Sequence, residues 1–334
     1  MTTVALKPAT FAQALSRALR DALAEDPSVH ILGEDVGTLG GVFRITDGLA
    51  AEFGDHRCFD TPLAEAGILG TAVGMAMYGL RPVVEMQFDA FAYPAFEQLA
   101  SHVAKMRNRT RGTMPLPLTI RIPYGGGIGG VEHHSDSSEA YYMATPGLHV
   151  VTPATVADAY GMLRAAIASD DPVVFLEPKR LYWSKDTWNP DEPTPVEPTG
   201  RAVVRRTGRS ATLVTYGPSL PVCMEAAEAA QAEGWDLEVV DLRSLVPFDD
   251  ETVCASVRRT GRAVVVHESG GFGGPGGEIA ARITERCFHH LEAPVLRVAG
   301  FDLPYPPPML ERHHLPGVDR ILDAVGRLQW EAES

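Results

Sequence analysis

Apolar positions in the segment "TFAQALSRALRDALAED" fall at Phe11, Leu15, Leu19 and Leu23, a one-sided stripe preceded by a Thr10-x-x-Gln13 capping box. The spacing predicts an amphipathic helix that Pro27 stops. Short β-rich runs follow, "VHIL", "PVVEMQF", "LPLTIRI", "LHVVTP" and "PVVFLEP", separated by helical periodicity at about 62–78, 94–109 and 155–168. That alternation predicts an α/β fold with a doubly wound, mostly parallel sheet flanked by helices. Between Ser184 and Gly200 the stretch "SKDTWNPDEPTPVEPTG" carries four prolines and no period, as a linker does. Beyond it "ATLVTYG", "LEVVDLRSL", "AVVVHES" and "PVLRVAG" alternate with helical segments, predicting a second, smaller α/β unit. The division is therefore 1–185, a proline-rich linker over 186–200, and 201–334.

Composition narrows the function. The chain has 334 residues, 45% of them hydrophobic, enough for two packed domains. Its formal charge is −14, from 29 basic and 43 acidic residues with no basic patch, which disfavours nucleic acid and anionic lipid and suits basic or neutral partners. Cys58, Cys223, Cys254 and Cys287 lie far apart without a CxxC pair, a usage that fits a reducing compartment. "MTTVALKPATF" lacks the order of a secretory signal and no uncharged run reaches membrane-spanning length, so the expected location is cytoplasmic.

Two stretches carry candidate chemistry. In "TPLAEAGILGTAVGMAMYGL" the one charge is Glu65. With Thr61 as N-cap and Pro62 as first helical residue, Glu65 falls in a first turn, where the helix dipole favours a carboxylate without further purpose. Leu69, Ala72 and Ala76 continue its face, however, and Gly67, Gly70 and Gly74 admit close approach on the opposite one. Covered on both sides, the carboxylate would lose hydration and become a candidate acid/base. The second stretch, "YGGGIGGVEHHSDSSEAYYMATPGL", is a long aperiodic loop that crowds Glu132, His133, His134 and Asp136 together. Its readings are a solvated structural loop, a zinc site opposed by adjacent histidines that point apart, or acid/base work by one histidine. Two glycine strings match GxGxxG: Gly125, Gly127 and Gly130 lead into that loop, while Gly271, Gly273 and Gly276 precede a helix. The second admits a nicotinamide site or, with Pro275 interrupting it, a tight domain-edge turn.

The segments "GEDVGTLGGVFRITDGL", "FDTPLAEAGILGTAVGMAMYG", "EMQFDAFAYPAFEQLASHVAKMRNR", "EHHSDSSEAYYMATPGLHVVTPAT", "PVVFLEPKRLY" and "VVDLRSLVPFD" occur in consistent order. Together they resemble the beta subunits of thiamine-diphosphate-dependent 2-oxo acid dehydrogenase components, nearest the branched-chain, 2-oxoisovalerate type. The resemblance implies two transketolase-like domains, pyrimidine-binding then C-terminal, in a heterotetramer of two alpha and two beta subunits. Thiamine diphosphate would lie between subunits, with Mg²⁺ and diphosphate held by a GDG-to-Asn motif of the alpha subunit; this chain contains no GDG.

The family glutamate falls on Glu65, implied to bond the aminopyrimidine N1′ nitrogen and so promote loss of the thiazolium proton. Leu63, Gln87 and Phe91 match the pyrimidine pocket, Phe91 standing where relatives carry tyrosine. The family histidine falls on His134, with His133 its neighbour, implied to act after decarboxylation and in acyl transfer to a lipoyl group; Asp136 stands where many relatives carry glutamine. Leu118, Thr119, Ala166, Ser169 and Asp171 match a structural potassium site. Implied partners are the alpha subunit, the lipoyl acyltransferase core and a 2-oxo acid of 3-methyl-2-oxobutanoate type. The alternatives are a pyruvate or acetoin dehydrogenase subunit and, in another class, a non-catalytic assembly subunit.

Overall fold

A computed structural model describes residues 8–189 and 199–329. The first half holds strands β1 (Pro8–Thr10), β2 (Val29–Gly33), β3 (Cys58–Asp60), β4 (Arg81–Glu85), β5 (Thr119–Tyr124), β6 (His149–Val151), β7 (Val173–Pro178) and β8 (Lys185–Thr187). Its helices are α1 (Phe11–Glu25), α2 (Leu49–Phe53), α3 (Glu65–Met77), α4 (Tyr93–Gln98), α5 (Met106–Arg109), α6 (Glu139–Met143) and α7 (Val156–Ala168). In the second half are β9 (Val203–Arg206), β10 (Ala211–Thr215), β11 (Leu237–Asp241), β12 (Ser244–Val246), β13 (Ala263–Gly270) and β14 (Leu296–Gly300). Helices α8 (Leu220–Ala229), α9 (Asp250–Thr260), α10 (Pro275–Cys287), α11 (Pro308–His314) and α12 (Val318–Leu328) accompany them.

The capping box forms as the sequence predicts. Gln13 N–H donates to Thr10 Oγ1 at 3.1 Å and Thr10 N–H to Gln13 Oε1 at 2.8 Å, while Phe11, Leu15, Leu19 and Leu23 are buried. A seven-stranded sheet runs β12-β6-β7-β5-β4-β2-β3, parallel throughout except at β12. A five-stranded sheet runs β14-β13-β10-β11-β9, antiparallel only at β9. Both sheets are thus mostly parallel, helix-covered and α/β. Each apolar cluster takes residues from both halves: Phe11, Phe175 and Leu213 share one, Leu69, Ile120 and Val214 the other.

Three expectations change. The first sheet is closed by β12, from the second half, whose pairing with β6 is non-local and leaves no local signal. The stretch assigned to the linker opens with an ordered strand, since β8 pairs antiparallel with β1; its residues 190–198 lie outside the described residues. Helix α3 starts at Glu65, with Ala64 as cap, instead of at Pro62. Thr61 does not cap it: its Oγ1 has no hydrogen-bond partner, and its N–H extends the β3 pairing to the Gly33 carbonyl at 2.9 Å.

Candidate active site

Parallel strands deliver their carboxyl ends to one edge, where α/β sheets bind ligands. There β2 leads into Glu34 and Asp35, β3 into the turn before Glu65, β4 into Gln87–Asp89, β5 into the glycine loop and β7 into Lys179. The strands are locked together just behind that edge. Arg121 of β5, fully buried, donates to Glu177 of β7 at 2.6 and 3.0 Å and to Glu85 of β4 at 2.5 Å. Gly33 is required beside it, because a Cβ there would come within 2.5 Å of the Glu85 carbonyl.

Glu65 is the first residue of α3 and half-buried. One face of its helix is covered, with Ile68, Leu69, Ala72, Val73 and Ala76 buried. The other face is open, which corrects the expectation that both are covered: nothing stands within 4 Å of a Cβ at Gly74, and only Gln98 Oε1, at 3.9 Å, near Gly70. Leu63 is 79% exposed. Beside Glu65 lies Glu34, buried, with Oε1 unpartnered. Burial, reinforced by the charges of Glu65 and Asp35, raises the Glu34 carboxyl above the ordinary carboxylate range. Sequence reasoning missed this residue; its only signal is the quoted "GEDVG".

Gln87 donates from Nε2 to Asp35 Oδ2 at 3.1 Å, tying the ends of β4 and β2. Phe88 and Phe91 stand edge-on to the His134 ring at centroid distances of 4.7 and 5.3 Å. His134 is half-buried against them, whereas His133, at φ 71°, is exposed. Asp136 accepts from Tyr93 Oη at 3.1 Å. Asp89 and Lys179, both fully buried, were also missed; burial pushes the Asp89 carboxyl up and the Lys179 ammonium down.

The glycine strings serve packing. Gly126 and Gly127 N–H groups donate to Glu268 Oε1 at 2.5 Å and Glu311 Oε1 at 2.8 Å, so the first string grips carboxylates of the second half. A Cβ on Gly126 would meet Tyr305 Oη at 1.7 Å. The second string is the tight turn that caps α10: Gly276 N–H donates to His267 Nε2 at 3.1 Å. Between Ser135–Ser138 and Glu268 and Tyr305 a cleft of about 440 Å³ separates the halves.

The residues matched to potassium have protein partners. Arg81 donates to the Ser169 carbonyl at 2.9 Å and the Ile167 carbonyl at 3.3 Å. The Ala166 carbonyl accepts from Ser169 N–H at 3.2 Å, that of Leu118 from Val173 N–H at 2.9 Å, and Thr119 lies in the ladder between β4 and β7. Asp171 holds Arg107 at 2.6 Å. The Arg81 guanidinium thus lies against the carbonyls of this turn, and the Arg107 guanidinium against its carboxylate.

Comparison with known proteins agrees with this architecture. Residues 7–184 match the family described as transketolase, pyrimidine binding domain, and residues 200–321 that described as transketolase, C-terminal domain. The chain is 55% identical over 320 residues to the 3-methyl-2-oxobutanoate dehydrogenase subunit beta of Mycobacterium tuberculosis (strain ATCC 25618 / H37Rv), covering 96% of this chain and 91% of the relative. It is 54% identical over 318 residues to the pyruvate dehydrogenase E1 component subunit beta of Leifsonia xyli subsp. xyli, covering 94% and 93%. Identity is 45% over 335 residues to the 2-oxoisovalerate dehydrogenase subunit beta of Pseudomonas aeruginosa, covering 96% and 94%. A solved structure described as a split gene transketolase, inactive beta4 tetramer, superposes with a TM-score of 0.78 at 25% identity, over 95% of this chain and 97% of that one. The chain belongs to the family of thiamine-diphosphate-dependent 2-oxo acid dehydrogenase beta subunits, a transketolase pyrimidine-binding domain joined to a transketolase C-terminal domain.

Proposed function

We propose that this chain supplies the pyrimidine-side half of a thiamine diphosphate site completed by an alpha subunit, in a heterotetramer that oxidatively decarboxylates a branched-chain 2-oxo acid of 3-methyl-2-oxobutanoate type. The observation that carries the proposal is Glu65, set at the start of α3 beside the buried, unpartnered Glu34, on a helix whose glycine face no part of the described chain covers. A partner packed on that face would remove water from Glu65. The donor set fits an aminopyrimidine: a carboxylate for a ring nitrogen, Leu63 and Phe91 for its faces, and Gln87 at the rim.

When bound, thiamine diphosphate supplies the carbon nucleophile that attacks a 2-oxo carbon. This chain's part is to hold and return a proton at the Glu65 carboxyl, beside Glu34, whose own carboxyl is raised above the ordinary carboxylate range by burial and by the Glu65 charge. His134, set against Phe88 and Phe91, offers an imidazole for proton transfer as the acyl group passes to lipoyl. Mg²⁺ and the diphosphate fall to the alpha subunit, since this chain lacks the GDG motif. The acidic surface, −14 overall, suits a basic docking domain on the acyltransferase core.

The branched-chain reading rests on the relative at 55% identity; the pyruvate-named relative at 54% keeps pyruvate as the second. The test is CO₂ release from 3-methyl-2-oxobutanoate and from pyruvate, by the chain alone and with its alpha partner. Turnover only in the pair, faster on the branched substrate, is expected. Turnover by the chain alone would overturn the half-site, and a silent pair with thiamine diphosphate bound would favour an assembly subunit.

A further inference from the structure

Asp89 lies between Phe88 and Phe91, the two rings that flank His134, and it is fully buried. Both its carboxylate oxygens face one residue of the histidine loop: Oδ2 accepts from Ser138 N–H at 2.8 Å and Oδ1 from Ser138 Oγ–H at 2.5 Å. A single short turn of the chain therefore supplies the aromatic wall for the imidazole and the anchor for the backbone leaving it. The loop needs such an anchor, because its glycines allow many conformations and the fold back on itself is tight: a Cβ on Gly130 would meet His134 Cβ at 2.9 Å. Gly125 N–H to the Asp136 carbonyl at 2.8 Å and Tyr93 Oη–H to Asp136 Oδ2 at 3.1 Å add tethers, the latter exposed.

A buried carboxylate needs a countercharge. Lys179, at the end of β7, is fully buried, its ammonium has no hydrogen-bond partner, and it sits 5.9 Å from the Phe88 ring centroid. Of the negative charges acting on it, that of Asp89 has the largest effect, ahead of Glu268 and Asp136. The ammonium thus balances the anchor without competing for the lone pairs that hold Ser138.

We propose that Asp89, with its charge balanced by Lys179, is the positioning residue for His134: it fixes the loop so that the imidazole rests between Phe88 and Phe91 in its working orientation. This rests on the reading of His134 as the group that assists acyl transfer. A role through His134, unlike a general stabilising role, makes the two losses non-additive.

The experiment uses the reconstituted alpha–beta complex with a lipoyl domain as acceptor, measuring lipoyl acylation and, separately, decarboxylation with an artificial electron acceptor. Asp89→Ala is expected to cut acylation about a hundredfold, the cost of displacing a reacting group by about 1 Å, and decarboxylation far less. Asp89→Asn, which keeps an acceptor for Ser138 N–H, restores most of the rate. Ser138→Ala, which keeps only the backbone bond, falls between. Asp89→Ala/His134→Ala acylates no more slowly than His134→Ala alone. If Asp89→Ala does not fold, Asp89→Ala/Lys179→Met, which leaves no unpaired buried charge, takes its place with the same expected loss. Full acylation by the Asp89 variants where His134→Ala has lost it overturns the positioning role, as do additive losses in the double variant. Normal acylation by His134→Ala overturns instead the reading on which the proposal rests.

Discussion

Removing Arg121 should unfasten the platform on which the site stands. Its guanidinium, 0% exposed, joins Glu85, 4% exposed, to Glu177, 0% exposed, and Tyr182 Oη–H adds a bond to Glu177 Oε2 at 2.7 Å. Arg121→Met takes away the cation and leaves two buried carboxylates facing each other. Breaking a buried pair from one side costs about 3–5 kcal/mol, because the remaining charge is desolvated and unpaired. Glu85 is already pushed toward its neutral form by burial, with Arg121 opposing that push, so part of the cost appears as proton uptake. At about 1.4 °C per kcal/mol for a chain of this size, the unfolding midpoint should fall by about 4–7 °C. The control is Glu85→Gln/Arg121→Met/Glu177→Gln, which removes all three charges and should recover most of the loss, since a neutral replacement of a buried ion network is often close to neutral in stability. Urea and thermal unfolding followed by circular dichroism measure both. If Arg121→Met lies within about 1 kcal/mol of the wild type, or if the triple variant is as unstable as the single one, then buried charge pairing is not what clamps β4, β5 and β7.

Two further outcomes are expected. His267 is buried between Gly276 and Ser269 and its imidazole is pushed down to about 4 by burial, from an ordinary 6.5. The unfolded chain therefore binds the proton first, so stability is full above pH 6.5, falls as the pH drops toward 4 by about 3 kcal/mol, and then levels; His267→Gln should remove that slope, and an unchanged slope would assign it to other groups. Gly147, at φ 106°, leaves room for no side chain, as a Cβ would lie 1.9 Å from the Ala104 carbonyl oxygen; Gly147→Ala should cost at least about 2 kcal/mol in urea titration, and a neutral result would mean the turn relaxes freely.

Elements set by local pattern were legible in the sequence. The α1 stripe and capping box, the helical stretch of α7 and the buried runs of β5, β7 and β10 all come from periodicity, cap chemistry and short apolar runs. What failed depended on distant partners. Thr61 reads as a cap, but its bond to Gly33 holds it in the extended run after β3, short of the helix that starts at Glu65; Ser244–Val246 reads as part of the second unit, but β6 takes it. Gly67, Gly70 and Gly74 read as a face for close approach, yet among the described residues that face is open. The site was legible only in part for the same reason. Glu65, Gln87, Phe91 and His134 carry family motifs, whereas Glu34, Asp89 and Lys179 owe their chemistry to burial, which topology creates and spelling does not show.

The central claim is that Glu65 shares a proton with the bound cofactor once a partner has covered it. The most direct measurement is the rate of hydrogen–deuterium exchange at the thiazolium carbon of thiamine diphosphate in the assembled complex, by acid quench and NMR, for the wild type and Glu65→Gln at equal cofactor occupancy. Exchange slowed by about a hundredfold to ten-thousandfold in the variant is the predicted result, the scale of a lost general acid–base. Exchange at the wild-type rate with the cofactor fully bound would contradict it.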